Sequence, residues 1–198
     1  MITPRPYLSY SQMSLFEHDK KRYRDVYILG IKMPINRGQG LGKEIAEALE
    51  SGEETGDPDK DFVISQFPKF EMMDRPIEVI LATKGVDVPL LAKPDTCRTD
   101  LSEFLEYKTG SGPWNKSKVD SSDQMTFYAT VIFLKTKKIP KMELIWAPTE
   151  KDEIGNPRLT GEIVRIKTAR KTIDLLKMMS RMKNVWAGIA EMCEKELT

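Results

Sequence analysis

The residues from Leu90 to Gly110 constrain the fold of this chain more than any other stretch. They form two short runs of strand-forming residues that flank a turn near Asp100, and the first run ends at Asp95. Successive side chains on a strand point to opposite faces, so Glu106 and Lys108 in the second run share one face. If the hairpin closes around the turn, Asp95 lies across from Glu106 on the neighbouring strand.

Two carboxylates that face each other across a pair of strands repel each other, and one of them tends to stay protonated. A Mg²⁺ ion removes this cost, because it binds a few oxygen ligands and keeps its other positions for water and phosphate. Lys108 would then stabilise an anion that forms next to the ion. The alternative is a surface hairpin with an ordinary Glu–Lys pair, since 31% of the residues are charged.

A helix is predicted after this hairpin. Ser121 or Ser122 is a suitable N-cap for a helix that runs to about Lys135. Gln124 and Tyr128 are four residues apart and therefore lie on one face of that helix.

These motifs, in this order, resemble the PD-(D/E)xK nuclease superfamily, and within it the RecB-like branch. That branch includes the CRISPR adaptation exonucleases and many phage recombination nucleases. The resemblance is carried by Pro94-Asp95, Glu106-Tyr107-Lys108-Thr109-Gly110, Gln124-x-x-x-Tyr128, Tyr7-Leu8-Ser9-Tyr10-Ser11-Gln12 and the segment from Lys21 to Tyr27. It implies an α/β (α+β) fold with a restriction-endonuclease-like mixed central sheet flanked by helices, formed by residues 1–198 as a single domain.

The resemblance also implies roles for individual residues. Asp95 and Glu106 would hold one or two Mg²⁺ or Mn²⁺ ions, with the carbonyl of Tyr107 as a further ligand. Lys108 would position the attacking water or stabilise the charge on phosphorus. The side chains of Gln124 and Tyr128 would lie beside the site and contact the substrate backbone.

The loop between Lys108 and Gln124 carries a second set of candidate substrate contacts. Trp114 could stack on an unpaired base, with Lys116 and Lys118 close to the phosphates. The alternative is a tryptophan that anchors its loop on the core.

The sequence departs from the branch at a helix predicted from Leu41 to Ser51. The branch commonly has a Gly-x-x-x-His pattern there, and its histidine reaches the metal, whereas Gly42 is followed by Ala46. Glu47 or Glu44 could replace that ligand, but adjacent helical residues lie about 100° apart around the axis. A solvated glutamate is therefore the favoured alternative. Glu78, on a strand predicted over 77–81, could likewise face the metal or be an edge charge.

Some members of the branch hold a four-cysteine iron–sulfur cluster. This chain has only Cys97 and Cys193, with His18 near the position of the first cluster cysteine, so no cluster is expected. The single histidine also argues against His-rich zinc sites and a Ser-His-Asp triad.

Other elements are predicted from local patterns. We expect a helix capped by Ser9 or Ser11 that runs to about Val26, then a loop over 28–40 and an acidic loop over 52–62. Strands are expected over 142–147 and 162–166, and Thr168 is expected to cap a final helix whose apolar stripe includes Ile173 and Leu176.

The chain is therefore expected to be a metal-dependent DNA nuclease, and an exonuclease is favoured over an endonuclease. It would act in recombination, in repair, or in phage or CRISPR DNA processing. Its partners would be single-stranded DNA or duplex ends, and a recombination or repair protein. No run approaches the roughly 20 apolar residues of a membrane span, so a cytoplasmic protein is expected. The resemblance implies that this cytoplasm is that of a bacterial or phage-infected cell. The alternative is a nuclease-fold module that binds nucleic acid or a protein and cleaves weakly, and the net charge of +1 favours neither.

Overall fold

The computed structural model of the protein describes residues 5–32, 37–73, 75–80 and 85–197. Within these ranges the chain forms seven α-helices and nine strands. The helices are α1 Tyr10–His18, α2 Lys20–Tyr23, α3 Arg37–Ser51, α4 Pro58–Ser65, α5 Lys116–Asp120, α6 Asp123–Thr136 and α7 Thr172–Leu197. The strands are β1 Leu8–Ser9, β2 Met72–Met73, β3 Ile77–Ile80, β4 Pro89–Ala92, β5 Thr96–Cys97, β6 Glu103–Gly110, β7 Lys141–Lys151, β8 Pro157–Leu159 and β9 Val164–Thr168.

The strands form two mixed sheets. The larger sheet has the order β2-β5-β6-β7-β8, and β9 also pairs with β7. Its central pair, β6 and β7, is parallel, whereas its other pairs are antiparallel. The smaller sheet has the order β1-β4-β3, with β1 parallel to β4. The predicted mixed α/β fold is confirmed.

Helices cover both faces of the larger sheet because its central strand alternates between two cores. Phe104 on β6 is fully buried in a cluster that contains residues of α1, α6 and α7. The next residue, Leu105, is fully buried against α3 and α4. Burial of each of these side chains stabilises the fold by about 2 to 3 kcal/mol. The side chains of Glu106 and Lys108 lie on the Phe104 face, as the two-residue period requires.

The N-terminal helix is shorter than predicted. Ser9 is its N-cap, and the Ser9 side chain accepts a hydrogen bond from the Gln12 N–H. The prediction of one helix to about Val26 is wrong, because Asp19 leaves the helical region with φ −154° and ψ 87° and caps α2 with its carboxylate. A π-helix follows from Arg24 to Ile28. Such π-helical turns are rare and occur often at functional sites.

Two predicted loops contain helical residues. Helix α3 already begins at Arg37, within the predicted loop over 28–40. Helix α4 begins at Pro58, where the Asp57 carboxylate accepts from two backbone N–H groups and a proline at the first position needs no donor. Local composition predicts irregular structure for both segments. The Asp57 cap of α4 and the packing of α3 on β6 outweigh this tendency.

The predicted start of the last helix is also wrong. Thr168 lies in β9, and its hydroxyl donates to the Asp120 carboxylate at 2.8 Å instead of capping α7. Helix α7 begins at Thr172, and the Asp174 carboxylate accepts from the Lys171 N–H at its start. The side chains of Ile173 and Leu176 are exposed, so the apolar stripe is rotated there from the predicted one. No helix in the described ranges combines the length and apolarity needed to cross a membrane.

Candidate active site

A hairpin between β5 and β6 brings Asp95 and Glu106 together. Thr96 pairs with Leu105, so the residues just beyond this pair are Asp95 and Glu106. The Tyr107 N–H donates to Oδ2 of Asp95 at 2.5 Å, which fixes the carboxylate beside β6. The strand before Asp95 is interrupted, since β4 ends at Ala92 and β5 begins at Thr96. The aspartate therefore lies in a short connection rather than at the end of one strand.

Lys108 links the strand to helix α6. Its Nζ donates to Oε1 of Glu106 at 2.6 Å and to Oε1 of Gln124 at 2.9 Å. The Nε2 of Gln124 in turn donates to the Tyr128 hydroxyl at 3.0 Å. Ser122 is the N-cap of α6, so Gln124 stands in the first turn of the helix and points to the sheet. The structure thus brings together all five candidate catalytic residues.

The site holds a buried charge pair. The Glu106 side chain is 3% exposed, and burial raises the pKa of its carboxyl group despite the nearby Lys108. Burial by itself lowers the pKa of Lys108, but the Glu106 carboxylate and its hydrogen bond outweigh burial and raise that pKa. Burial likewise raises the pKa of the Tyr128 hydroxyl, so it stays neutral. Lys108 is therefore a fixed positive charge beside the two carboxylates.

One oxygen of this pair has no partner. Oε2 of Glu106 is buried and accepts no hydrogen bond within the described part of the chain. An unsatisfied buried polar atom costs about 1 to 3 kcal/mol, and more for a charged group. Such atoms are rare in folded proteins and point to an ion or water at the site.

The donor set fits Mg²⁺ or Mn²⁺ with open positions. Mg²⁺ is commonly bound by one or two carboxylates and keeps several waters. Asp95 and Glu106 supply these carboxylates, and Oε2 of Glu106 has a free lone pair for a cation. In a strand, the carbonyl and the N–H of one residue point to the same side. The Tyr107 N–H contacts Asp95, so the Tyr107 carbonyl is directed to the Asp95 side as well. In the part of the chain that the structure describes, no three His, Cys, Asp or Glu residues form a metal-binding group.

Glu47 is not part of this cluster, contrary to its assignment as a metal ligand. It is exposed and pairs with Lys43 at 3.3 Å, while Glu44 pairs with Lys60 at 2.8 Å. Helix α3 packs on the Leu105 face of the sheet, and Glu106 projects from the other face. Neither glutamate therefore replaces the missing helix histidine. Glu78 on β3 is exposed, as an edge charge would be.

The loop after β6 is anchored on the protein. Trp114 is half-buried and packs against the core, and the Nζ of Lys118 lies 4.1 Å from its ring centroid. Lys116 forms an ion pair with Asp120 within α5. These contacts correspond to the anchoring alternative, and base stacking by Trp114 stays a prediction.

Sequence reasoning missed Arg170. This arginine is 7% exposed, and its guanidinium donates to the carbonyls of Val119 and Ser122 at 3.1 and 3.0 Å and to the Thr126 hydroxyl at 2.6 Å. It therefore fixes the start of α6, from which Gln124 reaches Lys108. No local pattern marks it, because these three partners are 44 to 51 residues away.

Comparison with known proteins supports the fold alone. No protein-family model matches this sequence, and no curated protein sequence matches it either. A crystal structure of a "putative exonuclease" from Eubacterium rectale has a similar fold, with a TM-score of 0.56 and 13% sequence identity. The match covers 93% of this chain and 82% of that chain. At this identity it supports a mixed α/β fold.

Proposed function

We propose that this protein is a metal-dependent deoxyribonuclease of the RecB-like PD-(D/E)xK type that hydrolyses phosphodiester bonds. The observation that carries the proposal is the unpartnered Oε2 of Glu106, buried next to Asp95 and Lys108. A catalytic carboxylate needs such a free lone pair, whereas a structural Glu–Lys pair gains nothing from it. The exonuclease-like fold of the structural neighbour agrees with this proposal.

In this mechanism Asp95 and Glu106 hold Mg²⁺ or Mn²⁺, with the Tyr107 carbonyl as a further ligand. The bound ion supplies Lewis-acid activation of water and of the phosphate. The protonated Lys108 stabilises the negative charge that develops on the phosphate oxygens. Gln124 holds Lys108 in place, and Tyr128 fixes the orientation of the Gln124 amide. Trp114, Lys116 and Lys118 are proposed to contact the substrate beyond the reacting phosphate.

The alternative is a nuclease-fold module that binds nucleic acid or a protein and cleaves weakly. The observation that favours it is the position of Glu47 and Glu44, which engage Lys43 and Lys60 instead of the site. Two carboxylates would then bind the ion more weakly than a complete ligand set.

Labelled single- and double-stranded DNA with Mg²⁺, Mn²⁺ or EDTA separates the two functions. We expect wild-type protein to cut linear DNA with either ion and not in EDTA, and we expect Lys108→Ala to cut at least a hundredfold more slowly. DNA binding without metal-dependent cutting would favour the module instead. Circular and end-blocked substrates test the exonuclease assignment, because an end-dependent enzyme leaves them intact.

The biological setting stays a prediction. Phage recombination, repair and CRISPR DNA processing all use nucleases of this type, together with a recombination or repair protein as partner. A bacterial or phage-infected cytoplasm is the compartment in which we expect it to act.

A further inference from the structure

A cavity of about 230 Å³ opens beside the candidate active site. Tyr10 and Tyr128 line it, and Tyr128 is the hydrogen-bond partner of Gln124. Its lining also includes Lys93, only two residues before Asp95. Two residues of extended chain span at most about 7 Å, so Lys93 lies within this distance of Asp95 along the chain.

The pairing of β1 with β4 builds this cavity. Ser9 lies opposite Leu91, which places the segment that begins at Arg5 next to the end of β4. Helix α1 starts directly after Ser9, so its first turn forms another wall. The N-terminal segment with the first turn of α1, the end of β4 and Tyr128 are distant in sequence and meet there.

A wider groove of about 1000 Å³ continues from the cavity. The two share Arg5, Tyr10, Ser11 and Tyr27. The groove adds Arg22 and Lys32, and it runs along α1 and the π-helix. A continuous path therefore leads from Tyr128 over the N-terminal helices.

This path is strongly biased in charge. Its lining includes four cationic side chains, those of Arg5, Arg22, Lys32 and Lys93, and no aspartate or glutamate among the described residues. The whole chain has 31 basic and 30 acidic residues, so chance does not favour such a segregation. A cleft lined by one sign of charge concentrates a ligand of the opposite sign.

Aromatic rings accompany these charges. The guanidinium of Arg5 lies 5.9 Å from the Tyr7 ring centroid and 5.4 Å from that of Tyr27, and it donates to the Tyr7 hydroxyl at 2.7 Å. Cationic grooves with aromatic side chains are the usual surface for single-stranded nucleic acid, whose bases stack on the rings.

We infer that the cavity and the groove bind the single strand of DNA that extends from the scissile phosphate. The inference rests on the proposed function for its direction, since the path ends at Tyr128, whose hydroxyl accepts a hydrogen bond from Gln124 of the candidate active site. A cavity of about 230 Å³ admits part of one strand. A DNA duplex is wider than its major groove, which is itself about 12 Å wide, so a duplex does not enter the cavity. The enzyme therefore acts on single strands or on ends that have been separated.

The test measures binding of a fluorescent single-stranded oligonucleotide by anisotropy in EDTA, where no cleavage is needed. Arg22→Glu combined with Lys32→Glu should weaken binding at least tenfold and reduce the slope of log affinity against log salt by about 1 to 2. The matched control is Lys135→Glu with Lys138→Glu, because Lys135 lies about 16 Å along α6 from Gln124. The control should change affinity less than threefold, and equal effects of the two double variants would overturn the inference.

A second pair of variants tests the aromatic contact. Tyr7→Leu should weaken binding about fivefold or more with the salt slope unchanged, whereas Tyr7→Phe keeps the ring and should stay within twofold of wild type. A hairpin duplex should bind at least tenfold more weakly than the single strand. Equal binding of the duplex, with the same dependence on Arg22 and Lys32, would also overturn the inference.

These outcomes are separable from those of the proposed function. If the protein cuts DNA but the groove variants bind and cut like wild type, the proposed strand path is wrong and the proposed nuclease function is supported. If the groove variants lose binding while wild-type protein never cuts with Mg²⁺ or Mn²⁺, the proposed strand path is supported and the proposed nuclease function is wrong.

Discussion

At the scale of single residues, Lys108 decides what the candidate site does. Its ammonium touches both Glu106 and Gln124, and its pKa is raised, so it is charged at neutral pH. The sequence placed Lys108 on the same face as Glu106 by the two-residue period of a strand. It did not place Gln124 within 2.9 Å of the lysine, because that contact depends on the packing of α6 on the sheet.

Lys108→Met should lower kcat about 10²- to 10³-fold, because the ammonium that stabilises the developing charge is lost. The fold should survive, since Glu106 can take up a proton once its partner is gone. Single-turnover cleavage of labelled DNA measures the effect, and circular dichroism checks the fold. Lys167→Met, on the exposed side of β9, is the control and should cut like wild type. Activity of Lys108→Met within tenfold of wild type would contradict the proposed role.

At the scale of elements, the position of α6 is set by a residue from another element. Arg170 follows β9, yet it binds the main chain at the start of α6. The cap at Ser122 was predictable from local sequence, as was the extent of the helix to about residue 135. The arginine was not, because burial of a guanidinium is a property of the assembled fold.

Arg170→Met should lower the free energy of unfolding by about 3 kcal/mol, because several buried acceptors lose their donor together. Urea denaturation measures this change. The control is Arg158→Met, which breaks an exposed pair with Glu150 and should cost less than about 1 kcal/mol. Similar effects of the two substitutions would show that the buried network does not hold α6.

Helices α1 and α7 approach each other closely at a glycine. A Cβ on Gly188 would lie 2.9 Å from two ring carbons of Phe16, whereas a Cβ on Gly40 in α3 would meet nothing within 4 Å. Gly188→Ala should therefore destabilise the protein by about 1 to 2 kcal/mol, since the buried Phe16 ring must move. Gly40→Ala should stabilise it by up to about 1 kcal/mol, because alanine favours a helix. Thermal unfolding of the two variants tests the difference in sign, and stabilisation by both would show that Phe16 adapts freely.

At the scale of the whole molecule, a bound ion should stabilise the fold. Binding to the native state adds about 2.7 kcal/mol at a ligand concentration of 100 Kd. For a chain of this length, that corresponds to a rise in Tm of about 5 to 10 °C. We expect Mn²⁺ to raise the Tm of wild-type protein and to leave Asp95→Asn and Glu106→Gln almost unchanged. Asp59→Asn, at an exposed position of α4, is the control and should respond like wild type. A rise in all variants would place the ion elsewhere.

The mixed α/β class was expected from the resemblance of the motifs to a known superfamily. The sequence by itself determined the hairpin that carries Asp95 and Glu106 and the helix that carries Gln124. These features depend on periodicity, turns and caps, which act between neighbours in the chain. The tertiary structure alone decided that Glu47 points away from the site, that Arg170 supports α6, and that Arg5 and Lys93 share a cavity with Tyr128. Each of these outcomes depends on which face of the sheet an element packs against, and residues far apart in the chain set that choice.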